Sequence, residues 1–104
     1  MINENNAVIQ ALADAQKNGD AVALATVIYT QGSMPRHAGA KMLIFADGKT
    51  IGTIGGGGME SKVIEAGITA IKTNSPKLET YTLNNLDNGD PGICGGTAQI
   101  FIEL

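Results

Sequence analysis

The sequence predicts an α/β fold of the α+β type, in which a mixed sheet of about five strands packs against two helices. Apolar residues recur at helical spacing over residues 6–18 and 59–72. Five other segments carry the unbroken or alternating apolar patterns of strands, and an Asp-Gly pair joins two of them as a hairpin does. A length of 104 residues fits one domain, so we expect a single domain over residues 1–104, with the order α-β-β-β-α-β-β.

The first half of the chain predicts a helix followed by a central strand. Residues 6–18 form the helix, because Val8 and Leu12 lie on one stripe, and Gly19 is a natural stop. Residues 21–29 are apolar almost without a break, which indicates a strand buried on both faces near the middle of the sheet. Two helices are little cover for such a strand, so we expect a homodimer.

The second half predicts a hairpin, a helix and two strands. Residues 41–46 and 50–54 flank the turn Asp47-Gly48-Lys49, in which Asp-Gly favours positive φ at both residues. The helix over 59–72 then leads to a strand that ends at Leu83, a spacing that suits a right-handed parallel crossover. A crossover beside an antiparallel hairpin makes the predicted sheet mixed. The last strand alternates and directs four side chains inward, those of Ala98, Ile100, Ile102 and Leu104.

Composition excludes several classes of protein. Seven Lys and Arg against ten Asp and Glu leave a net charge of −3, and 43% of the residues are hydrophobic. These values argue against disorder, and the few scattered cations argue against nucleic-acid binding. No apolar run approaches the roughly 20 residues of a membrane span, and the N-terminus lacks the pattern of a signal peptide. Because Cys94 is the single cysteine, no internal disulfide forms, and we expect a cytoplasmic protein without a membrane partner.

The first candidate site is the glycine run Gly55–Gly58, between a strand and the start of a helix. Free backbone N–H groups at a helix start, with no Cβ atoms in the way, form an anion site. No Gly-Lys-Ser/Thr follows, and Glu60 stands where a dinucleotide fingerprint has its third glycine, so the nucleotide motifs are not met. The alternative is a tight turn in which Glu60 complements the helix dipole. Four consecutive glycines exceed the needs of a turn, which favours anion binding.

A second candidate segment, Thr30–Met42, follows the central strand, where α/β sheets place ligand crevices. Arg36 carries a planar guanidinium that holds an anion through two hydrogen bonds, and Ser33 adds a hydroxyl. The alternative for Arg36 is a surface ion pair of little energetic consequence. His37 is interpreted as a solvated loop residue and is left out of the site.

The third candidate is Cys94, which lies among Gly92, Gly95 and Gly96. Backbone amides stabilise a nearby thiolate, and thiolates suit sulfur transfer or a soft metal. One Cys and one His are too few for a zinc site. A Cys-His nucleophile pair and a buried, unreactive thiol stay open as alternatives.

Together, the three segments resemble the N-terminal domain of the XdhC/CoxI family, the maturation factors of xanthine and carbon monoxide dehydrogenases. The family pattern is a Gly-Ser-x-Pro-Arg-x-x-Gly-Ala-Lys-Met loop, a Gly-Thr-Ile-Gly-Gly-Gly turn with a Glu shortly after it, and a closing Cys-Gly-Gly. The chain carries these motifs as Gly32–Met42, Gly52–Glu60 and Cys94–Gly96. The resemblance runs from about Ala23 to the C-terminus.

The resemblance implies a cofactor chaperone rather than a turnover enzyme. Members of the family bind the molybdenum cofactor (molybdopterin), a pterin dithiolene that ends in a phosphate. They hold it while a cysteine desulfurase partner replaces an oxo ligand by sulfide, and then pass it to a molybdenum hydroxylase of the xanthine or CO dehydrogenase type.

We expect the glycine run to hold the phosphate, Arg36 and Lys41 to neutralise it, and Cys94 to lie near the molybdenum or its sulfur. The residues expected to bind the cofactor are Gly32, Ser33, Arg36, Lys41, Gly55, Gly56, Gly57, Gly58, Glu60, Cys94, Gly95 and Gly96.

The chain departs from the family pattern in two ways. We expect a single domain without the family's C-terminal Rossmann-like domain. The chain then either completes the cofactor site alone, works with a separate Rossmann-domain chain, or is part of a longer protein. Gly58 stands where some relatives carry Cys, so Cys94 is the one thiol and a two-cysteine mechanism is not available. Two other functions stay open: a sulfur-transfer protein that carries a persulfide on Cys94, and a docking module for the hydroxylase that binds no cofactor.

Overall fold

The computed structural model describes residues 2–32, 37–82 and 96–104. The elements follow the predicted order α-β-β-β-α-β-β, which is confirmed. They are α1 (Ile2–Asn18), β1 (Val22–Gln31), β2 (Lys41–Phe45), β3 (Thr50–Gly52), α2 (Gly57–Thr73), β4 (Lys77–Thr82) and β5 (Thr97–Glu103).

The five strands form one sheet in the order β3-β2-β1-β5-β4, so β1 lies at its centre as predicted. Every neighbouring pair of these strands is antiparallel, and the expectation of a mixed sheet is therefore corrected. β3 and β4 do run in the same direction, as a crossover through α2 requires, but they lie at opposite edges. Because α2 packs across β1, β2 and β5 on its way between those edges, no parallel neighbours result.

The two helices cover opposite faces of the sheet. α2 buries Met59 and Val63 in a cluster with Ile100 of β5, and α1 buries Val8 in a second cluster with Leu43 of β2. Alternate residues of β1 belong to each cluster, so both faces of the central strand are covered within one chain. The burial of β1 therefore does not require a second copy.

Two glycines lie where the helices approach the sheet too closely for a side chain. A Cβ on Gly67 of α2 would lie 2.5 Å from Cδ1 of Ile44. Gly52, at the end of β3, has φ +87°, and a Cβ there would lie 2.5 Å from Cγ2 of Val8 and 2.6 Å from the carbonyl oxygen of Lys41. These contacts set the positions of α1 and α2 relative to β2 and β3.

Several local predictions differ from the structure at element ends. α1 begins at Ile2 rather than at residue 6, while Gly19 ends it with a φ of 77° as expected. In the β2–β3 turn, Gly48 has a positive φ but Asp47 does not, because the Asp47 carboxylate instead accepts the Lys49 N–H at 2.9 Å. Leu104 was expected inside, but β5 ends at Glu103 and the Leu104 side chain is half exposed.

The central strand changes its environment along its length. β2 pairs with it only as far as Thr26, and a bulge against β5 lies between Val27 and Tyr29. Ile28 within the bulge and Tyr29 after it are exposed, so β1 leaves the core as it approaches its end. Among the residues described, neither helix is long and apolar enough to cross a membrane.

Candidate functional site

Three connections of the chain are attached to the same end of the sheet. β1 and β3 run in the same direction and both end there, and the antiparallel β2 and β5 begin there. β4 ends there too, because Thr82 is paired with Thr97. We call this the loop end of the sheet. The connections 32–40 and 83–96 both start and finish at this end, and the turn between β3 and α2 starts there.

We give the name glycine turn to residues 53–58, which comprise the turn between β3 and α2 and the first two residues of the helix. Its backbone needs glycine at three positions. Gly55, Gly56 and Gly57 have φ values of 134°, 83° and 68°. Residues with a Cβ rarely adopt such values, so glycines at these three positions are explained by the backbone alone. Gly56 is the N-cap of α2, and no side chain of the described residues caps the helix there.

Glu60 fills the inner side of the glycine turn. Its carboxylate oxygen Oε1 accepts the N–H of Gly56 at 2.9 Å, the N–H of Ile54 at 3.3 Å and the hydroxyl of Thr53. Thr53 Oγ1 in turn accepts the N–H of Gly55 at 3.0 Å. The turn therefore already holds one anion, the chain's own carboxylate, at the positive end of the helix dipole. Two of the four glycine amides expected to face a ligand are thus occupied internally.

The first amides of α2 remain for an external anion. The N–H groups of Gly57, Gly58 and Met59 have no intrahelical acceptor, because a helix leaves its first N–H groups unpaired. Gly58 has no positive φ, and nothing within 4 Å meets a Cβ built on it. Neither backbone conformation nor packing among the described residues requires glycine at this position. The N–H of Gly58 is therefore open to the outside of the turn.

The other described site residues are Gly32, Gly96 and Lys41, and all three lie at the loop end of the sheet. Gln31 of β1 is paired with Thr97 of β5. Gly32 follows Gln31 and Gly96 precedes Thr97, so these two glycines lie side by side at the loop end. Lys41 also lies at this end, but its ammonium donates to Thr26 Oγ1 at 3.3 Å. Because the Thr26–Lys41 pair follows the register of Leu24 and Leu43, its side chains are on the α1 side, away from the start of α2.

Four predicted site residues lie outside the described residues, namely Ser33, Arg36, Cys94 and Gly95. His37, which the sequence analysis left out, is exposed. Among residues 2–32, 37–82 and 96–104, no group of three or more His, Cys, Asp and Glu side chains is arranged to hold a metal ion.

Two residues near the loop end, Thr53 and Tyr81, were not predicted from the sequence as site residues. The Thr53 hydroxyl donates to the Glu60 carboxylate and accepts the N–H of Gly55. A hydroxyl-bearing residue two positions before a glycine is the sequence pattern that predicts such a turn. Tyr81, near the end of β4, lines a groove of about 360 Å³ between β4 and α2. Burial, with smaller contributions from Glu79 and Glu65, raises the pKa of Tyr81 to about 12.

Comparison with known proteins shows which family the chain resembles. The model of the XdhC and CoxI family matches residues 15–82. The uncharacterized protein YqeB of Escherichia coli (strain K12) is 40% identical over 85 residues, which cover 79% of this chain and 15% of YqeB. The crystal structure of a xanthine dehydrogenase (BH1974) from Bacillus halodurans superposes with a TM-score of 0.76 and 28% identity. That superposition covers 91% of this chain and 29% of the other, so the chain spans less than a third of either relative.

Proposed function

Because the chain belongs to the XdhC and CoxI family, whose role is the maturation of xanthine and CO dehydrogenase-type enzymes, we propose that it binds the molybdenum cofactor at the loop end of the sheet. It holds the cofactor during sulfuration and insertion into a molybdenum hydroxylase. The observation that carries this proposal is Gly58 at the start of α2, which faces open space and for which the described residues give neither a backbone nor a packing reason to be glycine.

The terminal phosphate of the cofactor suits the start of α2. A phosphate needs several N–H donors and a positive electrostatic potential, and the first amides of a helix supply both. Gly57 and Gly58 carry no Cβ to keep the phosphate at a distance. Glu60 sets a limit on the position of the anion, because its negative charge already occupies the amides of Ile54 and Gly56. The phosphate therefore binds on the outer side of the turn.

The other functional residues are assigned by the family motifs. Arg36 neutralises the phosphate and Ser33 adds a hydroxyl. Cys94 interacts with the molybdenum or its sulfur, and Gly95 and Gly96, which follow it in the sequence, add backbone contacts. Lys41 raises the positive potential of the loop end rather than binding the phosphate directly, because its ammonium lies on the α1 side. When bound, the cofactor supplies the metal and the dithiolene sulfurs. The chain supplies binding, orientation and shielding.

The proposed partners follow from this role. They are a xanthine or CO dehydrogenase-type hydroxylase that receives the cofactor, a cysteine desulfurase that provides the sulfur, and a separate Rossmann-domain chain. The cytoplasm, where these partners would be met, is the proposed location. Self-association is a separate question, because neither holding nor passing on the cofactor requires it.

The test is retention of the cofactor by the purified chain. Wild-type chain mixed with released molybdopterin is expected to retain the pterin fluorescence above a small-pore filter. Gly58→Leu places a side chain in the open space at the start of α2 and is expected to lower the affinity roughly tenfold or more. Lys72→Leu, at an exposed position in the last turn of the same helix, is the matched control and should bind as wild type does.

Two outcomes would contradict the proposal. If the pterin passes the filter at micromolar wild-type chain, the chain does not bind this cofactor. Co-purification with a hydroxylase would then indicate a docking module, and a mass increase of one sulfur atom at Cys94 after incubation with desulfurase and cysteine would indicate a persulfide carrier. If pterin is retained equally by wild type and Gly58→Leu, the cofactor binds elsewhere than at the start of α2.

Arg36→Ala is expected to retain less pterin than wild type.

A further inference from the structure

Among the described residues, β4 (Lys77–Thr82) forms one edge of the sheet and has a strand partner on one side only. β5 pairs with all six of its residues, and no strand of the described residues lies on its other side. The opposite edge, β3, is only three residues long. A free edge of the length of β4 is the kind of edge to which another strand adds, through main-chain hydrogen bonds.

The face of β4 turned away from α2 carries exposed apolar surface. Leu78 is 58% exposed and is paired with Phe101 of β5, which is 37% exposed. α1 lies on the same side of the sheet, but it packs on β1, β2 and β3. The remaining β4 side chains on this face are uncharged, since they are those of Thr80 and Thr82.

The other face of β4 carries both signs of charge. Lys77 and Glu79 line the groove of about 360 Å³ between β4 and α2, with Lys62 and Glu65 of the helix on its other side. Because this groove is open, α2 does not close off the edge strand. Side chains of an added strand therefore have room on the helix side as well as on the Leu78 side.

We propose that two copies of this chain associate through their β4 edges, antiparallel, about a two-fold axis at Leu78. In this register Leu78 lies opposite Leu78 of the second copy, beside the two Phe101 side chains. On the other face, Lys77 of each copy lies opposite Glu79 of its partner. The segment Lys77–Leu78–Glu79 is thus complementary to itself, and the two sheets join into one of ten strands.

The charges favour this register over its neighbours. A two-fold axis perpendicular to the sheet keeps each face continuous, so only residues that share a face can lie opposite each other. With the axis at Glu79, the two Glu79 carboxylates would face each other, which is unfavourable. With the axis at Thr80, Lys77 would have no opposite charge across the interface. Pro76, which has no N–H, lies opposite Thr80 of the second copy in this register, so the two symmetry-related prolines limit the pairing at both ends.

The experiment is a charge exchange across the edge, followed by sedimentation at low salt over a wide range of chain concentrations. A short edge pairing buries less than a standard interface, so we expect wild-type dimers only at roughly micromolar to millimolar concentrations. Lys77→Glu and Glu79→Lys each place two pairs of like charges across the axis and are expected to raise the dimer Kd roughly tenfold. The double variant Lys77→Glu, Glu79→Lys restores both opposite-charge pairs, and its Kd should return to within roughly threefold of wild type.

Two controls isolate the interface. Lys49→Glu makes the same charge change in the β2–β3 turn, which lies in the half of the sheet away from β4, and should leave the dimer Kd unchanged. Circular dichroism of each variant at a concentration where it is monomeric checks that the fold is retained. A wild-type chain that stays monomeric up to its solubility limit overturns the proposal. So does a dimer that the single exchanges leave intact, or one that the double exchange fails to restore.

Discussion

At the scale of single residues, Glu60 determines how the glycine turn works. Its Oε1 atom accepts two backbone N–H groups and the Thr53 hydroxyl, so the carboxylate holds the turn in place from inside. Residues 55–57 provide the positive φ values, and Gly58 provides access to the outer side. In the site that we propose, Glu60 and the three positive-φ glycines shape the turn, and the backbone at Gly58 is left open for the ligand.

Replacement of Glu60 tests the shaping role. Glu60→Ala leaves the N–H groups of Ile54 and Gly56 without their acceptor, and we expect it to lower the free energy of unfolding by about 1–3 kcal/mol. Glu60→Gln keeps an oxygen acceptor of the same reach but loses the charge, so its loss should be smaller, about 0.5–1.5 kcal/mol. Urea unfolding of the two variants measures the difference. Equal stability of wild type and Glu60→Ala would show that the carboxylate does not hold the turn.

At the scale of elements, α2 positions the site because it is seated closely on the sheet. Its N-terminus is at the loop end, its buried face packs on β1, β2 and β5, and Gly67 brings it against Ile44. Asn74 ends the helix in the left-handed conformation, with its N–H and that of Ser75 returning to Ile71 and Ala70. The start of α2 is therefore held at a fixed place relative to the end of β3.

The contact at Gly67 predicts a compensating pair of substitutions. Gly67→Ala gains helix propensity of up to about 1 kcal/mol, but its Cβ would meet Cδ1 of Ile44 at 2.5 Å, so we expect a net loss of about 1–2 kcal/mol. Ile44→Val removes Cδ1 and costs about 0.5–1.5 kcal/mol by itself. The double variant should be more stable than the sum of the two single effects predicts. Additive effects in a double-mutant cycle of thermal unfolding would contradict this packing.

The elements also show what sequence patterns do and do not reveal. The unbroken apolar run of β1 predicted its central place, and the alternation in β5 predicted Ala98, Ile100 and Ile102 as core residues. The direction of the strand after α2 was predicted as well, but its neighbours were not. A crossover sets the direction of a strand relative to the one it leaves, whereas the strands inserted between them depend on contacts far apart in the sequence.

The site was predictable to the same degree. The glycine run and its place before α2 follow from local sequence. Glu60 was expected to contact the cofactor, and its role inside the turn was the less favoured alternative. The direction of the Lys41 side chain did not, because it depends on the pairing of β2 with Thr26. The inward contacts of Glu60 with Ile54 and Gly56 likewise depend on the exact path of the turn.

At the scale of the whole molecule, the protonation of Tyr81 couples stability to pH. Burial, with Glu79 and Glu65 contributing less, raises its pKa to about 12 from the ordinary value of 10.0. The folded state thus holds the phenol proton more tightly than the unfolded state does. The resulting stabilisation is fully present below about pH 10 and is lost as the pH rises from about 10 to about 12.

This dependence is measurable with one substitution. The free energy of unfolding should fall more steeply between about pH 9 and about pH 11 for wild type than for Tyr81→Phe, which cannot ionise. Lysine titration affects both proteins and cancels in the comparison. Tyr29→Phe is the matched control, because the Tyr29 hydroxyl donates to Gln31 on β1 and is no part of the groove beside α2. Parallel pH profiles for wild type and Tyr81→Phe would contradict the assigned burial of this phenol.

Among the described residues, the ends of three connections lie at the loop end of the sheet, and the start of α2 is where we propose that the cofactor phosphate binds. The most direct measurement is an amide NMR titration of the isotope-labelled chain with molybdopterin. The amide signals of Gly57, Gly58 and Met59 are expected to shift most on binding, while those of Ile54 and Gly56 move less because Glu60 already holds their N–H groups. Saturation by the cofactor with the signals of Gly57–Met59 unmoved would show that the start of α2 is not its binding site.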